Sequence, residues 1–461
     1  MKPPIKAIMI GAGQRGYEAY GPYASDHPDQ LQFTAVAEPD AERRVRFASR
    51  HNIPVERQYE SWEPLLIEPQ LGEAALICTQ DWLHVEPALA AMAAGYHLLL
   101  EKPMATQAED CRALIEASEQ HNRQLHICHV LRHTKHFSRM RELVQSGALG
   151  QVVNVDHREN VSYWHMAHSF VRGNWRRSGE TSPMILAKCC HDFDILIWVL
   201  GSSCRQLSSF GGLMHFTPEN APTGAPARCL DGCPTSSECP YYAPFIYEGL
   251  TPLWRSYIES ARGLPRMAAA LWLRYPSLVR VLSGVAPALR AASKQRGWPV
   301  SVLTRDPTPD NIRSALENGP YGRCVYHCDN DVVDQQVVAM QFENGVSATL
   351  TMQGHSYHEH RTTRIEGTRA TLRADFGFGG SRIILDEHRS GKRTVENTTA
   401  KTSSGHGGGD ATLMAAFVRS LRGEGAGTQT TAAQALESHL LAFAAEHSRL
   451  KSVTVDMQAV Y

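Results

Sequence analysis

The sequence predicts an α/β protein in two parts. An N-terminal doubly wound parallel sheet of Rossmann type is followed by an α+β domain with a large open, mainly antiparallel sheet. Three observations carry this expectation. Short apolar runs alternate with helical patterns from the start of the chain to about Val130. A glycine-rich turn, Gly11-Ala-Gly-Gln-Arg-Gly16, follows the first of those runs. Beyond about Gly150, stretches such as Val152-Val-Asn-Val-Asp-His157 switch to a two-residue apolar/polar period.

Each element follows from its local chemistry. Ile5 to Ile10 is short and apolar, as a strand covered on both faces requires. Leu31-Gln-Phe-Thr-Ala-Val-Ala-Glu38 is a second strand ending in a carboxylate, and Glu73-Ala-Ala-Leu-Ile-Cys78 is a third. A helix from about His84 to Gly95 precedes a fourth strand, His97-Leu-Leu-Leu-Glu101. Strands that alternate with helices in this way pair in parallel. The alternation in Val152–His157, Val346–Met352 and Arg369–Ala374 suits a sheet with one covered face. Ser403-Ser-Gly-His-Gly-Gly-Gly-Asp410 reads as a loop, because its glycines favour neither helix nor strand. The division expected is 1–130 and 131–461. Two segments interrupt the second part: a cysteine-bearing one at 228–241, continued at 324–328, and a basic, helix-compatible insertion at 254–298.

With 43% apolar and 20% charged residues among 461, the chain has the composition of an ordinary globular protein. A formal net charge of -1 gives no general pull toward nucleic acid or anionic membrane. The N-terminal apolar run leads straight into glycines without an export pattern, and no apolar stretch is long enough to span a bilayer. A cytoplasmic protein is expected, its eleven cysteines present as thiols or metal ligands. The basic insertion is read as packed on its own domain, with a membrane surface or an acidic partner as the alternative.

Strand, glycine turn, helix, strand and acid form the order of a dinucleotide-binding unit. Gly11 permits the tight turn, Gly13 lets the backbone approach a diphosphate, and Gly16 allows close packing of the helix. Glu38 stands where a ribose-binding acid is expected and favours NAD, since a carboxylate repels a 2′-phosphate. Arg43 and Arg44 keep NADP as the lesser alternative.

Gly11-Ala-Gly-Gln-Arg-Gly16, Thr79-Gln-Asp-x-x-His84, Glu101-Lys-Pro103 and the segment ending His191-Asp-Phe-Asp194-Ile-Leu-Ile-Trp-Val-Leu-Gly201 resemble the glucose-fructose oxidoreductase / inositol dehydrogenase (Gfo/Idh/MocA) family. The resemblance implies a Rossmann domain, an α/β domain with an open sheet, and hydride transfer between a nicotinamide cofactor and sugar or cyclitol hydroxyls. It also implies that Gln14, Arg15, Thr79, Gln80, His84, Glu101 and Lys102 join the glycines and Glu38 around the cofactor. Lys102 is implied to sit beside the nicotinamide, and His191 to take the place of the family's catalytic histidine. Asp194 is expected to support the start of the helix that follows. Where the family commonly has an aspartate, four residues before that histidine, this chain has Ala187, with Lys188 beside it as a possible cation for the substrate.

Removing hydride from an alcohol carbon requires that the hydroxyl proton leave as well, so a base must lie within hydrogen-bond reach. Lys102, His191, Lys188 and Tyr163 are the catalytic candidates. Tyr163-Trp-His-Met-Ala-His168-Ser-Phe-Val-Arg172-Gly-Asn-Trp175-Arg-Arg177 supplies rings and guanidinium forks suited to a sugar or an anionic substituent. Tyr163, His168, Arg172 and Trp175, with Lys188 and His191, are therefore the expected substrate-binding residues. Cys229, Cys233, Cys239 and Cys324, with Cys328 as the substitute for the last, read as a structural zinc site of four sulfurs.

The leading expectation is an NAD-dependent oxidoreductase of sugars. The alternative is a redox-neutral, NAD-dependent glycosidase that oxidises C3, eliminates the aglycone, adds water and re-reduces, with an anionic glycoside such as a sulfoquinovoside as one substrate. A sensing protein on the same fold is a third reading, disfavoured by the Lys102 and His191 pair. The expected partners are a small sugar or glycoside and further copies of the chain in a homo-oligomer.

Overall fold

The computed structural model describes residues 2–260, 264–275, 297–377, 380–400, 406–424 and 430–461. Two sheets organise them. The first contains β1 (Ile5–Ile10), β2 (Leu31–Ala37), β3 (Gln58–Tyr59), β4 (Ala74–Ile77), β5 (His97–Leu100) and β6 (Leu125–Ile127). Its order is β3-β2-β1-β4-β5-β6, with every pair parallel. The chain reverses its direction of winding between β1 and β4, and their carboxyl ends open the crevice where such sheets bind ligands. The central strands are mainly apolar because both faces are covered. Ile8, Ile10, Leu98 and Leu100 pack on one side, and Ala7, Met9, Leu76 and Leu99 on the other.

The second sheet has nine strands: β7 (Val152–Ser162), β8 (Cys204–Gly212), β9 (Gln335–Phe342), β10 (Ser347–Ser356), β11 (His360–Gly367), β12 (Ala370–Gly377), β13 (Gly380–Glu387), β14 (Arg393–Asn397) and β15 (Val455–Asp456). Their order is β14-β13-β12-β11-β7-β10-β9-β8-β15, antiparallel except for β7 against β10. Alternate residues Val338, Met340 and Phe342 on β9, and Ala348, Leu350 and Met352 on β10, are buried. Helices Lys135–Gln145, Met184–Leu200 and Ala432–Lys451 pack against this sheet. The expected fold class is the observed one, and the alternating stretches fall on β7, β10 and β12.

Between β8 and β9, neighbours joined at Gly212 and Gln335, the chain leaves the sheet for residues 213–334. The described residues of this excursion form short helices and turns around a small core that includes Tyr247, Ile246, Leu316 and, from outside the excursion, Trp164. It holds the cysteine-bearing segments and the basic stretch. Of the latter, helices Thr251–Ser260 and Leu264–Arg274 are described, and 261–263 and 276–296 lie outside the described residues. No helix among the described residues is long and apolar enough to cross a membrane.

The glycine-rich stretch at 403–410 differs in part from expectation. Residues 401–405 lie outside the described residues, but Gly409 and Asp410 open the Gly409–Leu421 helix. Gly407 and Gly408 take φ of +61° and +81°, so these glycines supply a sharp helix entry that other side chains would resist. Asp410 then lies in the first turn, where a carboxylate is favoured. The C-terminal part of the chain returns to the first sheet. Thr430 O accepts from Ile127 N at 3.1 Å, and His439 Nε2 accepts from Met104 N at 3.0 Å.

Burial makes the fold acid-sensitive. Desolvation pushes His126, His133 and His136 down to about 4, against the ordinary 6.5. Between those values the unfolded chain binds protons that the native chain refuses, so stability falls as pH drops through this window. Each histidine is expected to remove on the order of 1–3 kcal/mol by about pH 4. Urea unfolding midpoints should fall steadily from about pH 7 to about pH 4.5, and a flat profile contradicts the assignment.

Candidate active site

The turn after β1 is shaped by sterics. Gly11 takes φ +88°, and a Cβ there would lie 2.7 Å from the carbonyl carbon of Cys78 at the end of β4. A Cβ on Gly16 would lie 2.4 Å from Gly11 O, so the helical turn Arg15–Tyr20 can approach the loop only with glycine at this place. Gly13 is different: a Cβ there meets nothing nearer than Arg43 Nη1, at 4.0 Å. The first and third glycines therefore serve the fold, and the second leaves room above the loop. Glu38, at the end of β2, accepts from Ala12 N at 2.7 Å and Asp40 N at 3.1 Å, which holds its buried carboxylate beside the turn. Arg44 donates to Glu38 O, fixing the same corner. This open loop with an acid at its edge fits the diphosphate and ribose of a dinucleotide.

Gln14 precedes the helical turn, and Arg15 has a more specific place. Its guanidinium donates to Glu101 (2.6 Å), Tyr20 Oη (2.6 Å) and Asp410 (2.9 Å), and Tyr20 also donates to Glu101. Burial opposes ionisation of Glu101, yet Arg15, Tyr20 and Lys102 together hold its carboxylate below the usual range. Arg15 is thus engaged by carboxylates in this structure. His84 ties the neighbouring loop to the same corner through Pro103 O (2.7 Å) and Thr79 O (3.3 Å), and Gln80 begins the short turn between them.

Lys102 extends from this corner to the second sheet's helices. Its Nζ donates to Ala187 O at 2.8 Å, in the first turns of the Met184–Leu200 helix. His191 lies four residues further on, hence on the same helical face. A main-chain carbonyl thus accepts the hydrogen bond at the position where the family resemblance implied an aspartate. Two histidines not singled out in the sequence stand behind this pair. His129 Nδ1 lies 3.4 Å from His191 Nδ1, and His129 Nε2 reaches Ser438, beside His439. Burial, with Arg132 and Lys102 nearby, holds His129 well below the usual imidazole range, and burial beside His129 takes His439 down to about 3. Both are neutral hydrogen-bonding groups at physiological pH.

Asp194 does not support the helix start, since the helix begins ten residues earlier, at Met184. It is fully buried and takes both arms of Arg132, at 2.7 and 2.6 Å. Lys188 is likewise engaged: Glu359 lies 2.8 Å and Glu159 3.3 Å from its Nζ. Burial alone would lower Lys188, but the two carboxylates raise it above its ordinary value. Arg361 joins Glu159 to Asp192, which also bonds His157, and His165 pairs with Glu359 at 3.0 Å. Three carboxylates thus face two permanent cations and two imidazoles. Burial raises Glu159 against the pull of Arg361 and Lys188, whereas His165 and Lys188 overcome burial and hold Glu359 well below its usual range.

The aromatic and basic loop divides. Tyr163 is half-buried, 6.5 Å from the stacked ring of Tyr357 and 6.1 Å from Tyr241. Trp175 Nε1 donates to Asp81 at 2.8 Å, joining the loop to the first sheet's crevice. His168 instead lies in the core of the excursion, stacked on Tyr321 and bonded to Tyr247 Oη at 3.0 Å. Arg172 is fully buried against Arg323 O and Tyr241 O. Arg176 pairs with Asp329, and Arg177 faces Glu180 and Asp331. Of the three arginines expected to fork an anionic substituent, Arg172 is buried with the Met166–Arg172 turn, and Arg176 and Arg177 face carboxylates at the surface.

All eleven cysteines are free thiols. Cys229, Cys233, Cys239 and Cys324 line one cavity, whereas Cys328 turns its Sγ to Cys324 O. Among the described residues no three His, Cys, Asp or Glu side chains are disposed to hold a metal ion as they stand. The expected four-sulfur site is thus a ring of thiols around a cavity, not a closed tetrahedron.

Comparison with known proteins now bears on this geometry. The oxidoreductase-family NAD-binding Rossmann domain matches residues 5–129, and the family's C-terminal alpha/beta domain matches 141–243 and 288–457. The chain belongs to the Gfo/Idh/MocA family. Within it, the oxidoreductase YteT of Bacillus subtilis (strain 168) is 21% identical over 88% of this chain and 87% of its own. The 2,7-anhydro-N-acetylneuraminate hydratase of Escherichia coli (strain K12) is 24% identical over 46% of this chain and 54% of its own. The WlbA dehydrogenase of Bordetella pertussis, solved with NADH and UDP-GlcNAcA, superposes with a TM-score of 0.63 at 15% identity, over 99% of this chain and 98% of that one. The gap between the two C-terminal family matches, 244–287, falls inside the excursion between β8 and β9.

The two kinds of glycine should separate on substitution. Gly13→Val is expected to leave the melting temperature without cofactor within about 2 °C of wild type, while weakening NAD binding at least about tenfold. Gly16→Val should lower the melting temperature itself, because its side chain meets backbone. Thermal melts with and without NAD check both, and equal effects from the two variants contradict the division of roles.

Proposed function

We propose that this protein is an NAD-dependent enzyme acting on a ring hydroxyl of a sugar or glycoside, with Lys102 and His191 handling the hydroxyl proton. The observation that carries the reading is the reach of Lys102 Nζ from the Rossmann crevice to Ala187 O, on the helical face that also bears His191. When bound, the nicotinamide accepts the hydride from the ring carbon.

The chain's own residues supply the rest. Gly11, Gly13 and Gly16 with Glu38 position the dinucleotide, and Glu101 and His84 hold the turn that carries Lys102. A substrate oxygen between Lys102 and His191 replaces the hydrogen bond now made to Ala187 O, and its proton passes to one of these two groups. His129, neutral and 3.4 Å from His191 Nδ1, orients that ring and continues a buried chain to Ser438. Tyr163, Tyr357 and Trp175 offer ring faces to the apolar side of a sugar. The buried state of Arg172 and the ion pairs of Arg176 and Arg177 remove the argument for an anionic substituent.

A second reading is favoured by one specific pair. His165 and Glu359, 3.0 Å apart beside Tyr163, form an acid/base couple additional to Lys102 and His191. A redox-neutral elimination and hydration needs such a couple next to the oxidised carbon, and a hydratase stands among the relatives.

Lys102→Ala and His191→Ala should each lower turnover by about 10²- to 10⁴-fold with NAD affinity retained. Turnover within about threefold of wild type for either variant removes that residue from the chemistry. Incubation with aryl glycosides and catalytic NAD in D2O separates the two readings. Stoichiometric NADH without aglycone release marks the dehydrogenase. Aglycone release with deuterium uptake next to the oxidised carbon and no net NADH marks the glycosidase, and there Glu359→Gln should abolish release.

A further inference from the structure

We infer that Cys229, Cys233, Cys239 and Cys324 form a structural binding site for a zinc ion, with the guanidinium of Arg172 as its buried counter-charge. The inference does not depend on which sugar chemistry the active site performs.

The backbone brings the ligands together first. Residues Arg228 and Arg323 form an isolated antiparallel bridge, with Cys229 N donating to Gly322 O and Cys324 N to Ala227 O, both at 2.9 Å. This bridge closes the excursion near its two ends and sets Cys229 beside Cys324. The turn that follows bonds Ser236 N to Cys233 O (3.3 Å) and Cys239 N to Thr235 O (2.9 Å), folding Cys233 back toward Cys239. The result is that all four cysteines, from segments almost a hundred residues apart, line one cavity. Cys328 does not line it.

Charge supplies the second, independent observation. Arg172 lines the same cavity and is only 1% exposed. Its Nε and Nη2 are taken by the carbonyls of Arg323 and Tyr241, Nη2 also approaches Cys229 Sγ at 3.5 Å, and Nη1 has no hydrogen-bond partner among the described residues. No carboxylate among the described residues pairs with it. An arginine stays charged in a protein, and a buried charge without an opposite one is costly. Zinc binding changes the balance: four S–H bonds break, four Zn–S bonds form, four protons leave to solvent, and nothing is oxidised or reduced. The dication with four thiolates carries two negative charges, of which Arg172 offsets one.

The excursion has a use for such a staple. Its core is small and its helices are short, the setting in which a metal contributes folding energy directly. Four sulfurs would fill the coordination shell and leave no position for substrate, so the role is structural. Its effect would still reach the candidate active site, because Arg172 holds Tyr241 O and the Tyr241 ring packs edge-on against Tyr163.

The test begins with wild-type protein purified under reducing conditions. Elemental analysis is expected to find about one zinc per chain, and cobalt exchanged for it should show the visible bands of a tetrahedral tetrathiolate. Cys233→Ser and Cys239→Ser, at half-buried positions, should lose the zinc, whereas Cys328→Ser should keep it. Arg172→Lys should retain zinc with affinity weakened about 10- to 100-fold. Folded wild-type protein that holds less than about 0.1 zinc per chain and takes up none from added zinc chloride overturns the inference. So does iron in place of zinc, or a zinc content unchanged in the Cys233→Ser, Cys239→Ser double variant. The wild-type metal content decides the question even if the variants fail to fold.

Discussion

The buried contact of Arg15 with Glu101 and Asp410 is the constraint from which the rest of the structure can be built. Arg15 belongs to the glycine turn, Glu101 immediately precedes Lys102, and Asp410 opens a helix far along the chain. One guanidinium therefore fixes three segments that have no reason to meet through local propensity. Glu101 and Asp410 are both buried, so loss of Arg15 would deprive two carboxylates of the cation they share. The position of Lys102 follows from it, as does the docking of the C-terminal helices on the first sheet.

A second cluster does comparable work across the Met184–Leu200 helix. Lys188 and Arg361 hold Glu159, Glu359 and Asp192 between the helix and the strands β7 and β11. Three carboxylates outnumber the two permanent cations, and burial raises Glu159 against the pull of Arg361 and Lys188. The helix is thus anchored on one side by Lys102 through a neutral carbonyl and on the other by full charges. That asymmetry makes the Lys102 contact, a single bond to a neutral acceptor, the more easily broken of the two.

Much of this was legible in the residues. The glycine turn, Glu38 and the strand periods depend on short-range patterns, whereas the places of Lys102 and His191 were implied by the family resemblance. The partners were not legible. Nothing near His129, His439 or Glu359 in the chain marks them as neighbours of His191 and Lys188, because each arrives from an element distant in sequence. Arg172 and His168 misled for the opposite reason. Polar residues in a loop-like stretch read as exposed, but Met166–Arg172 is covered on all sides, and its apolar neighbours Met166, Phe170 and Val171 were the available signal. The glycines at 407 and 408 read as loop formers, and they serve instead to turn the chain sharply into a helix.

The pairing of Gly212 with Gln335 has an evolutionary consequence. Topologically, everything from 213 to 334 is the loop of a single β-hairpin, leaving and rejoining the sheet at adjacent residues. The entropic cost of lengthening such a loop rises only with the logarithm of its length, so material can be gained, lost or exchanged here without disturbing the register of β8 and β9. Yet this same hairpin loop contributes Tyr241, which touches the Tyr163 wall of the candidate site. Rewriting this one appendage would therefore reshape the wall beside Tyr163 while the two sheets stay as they are.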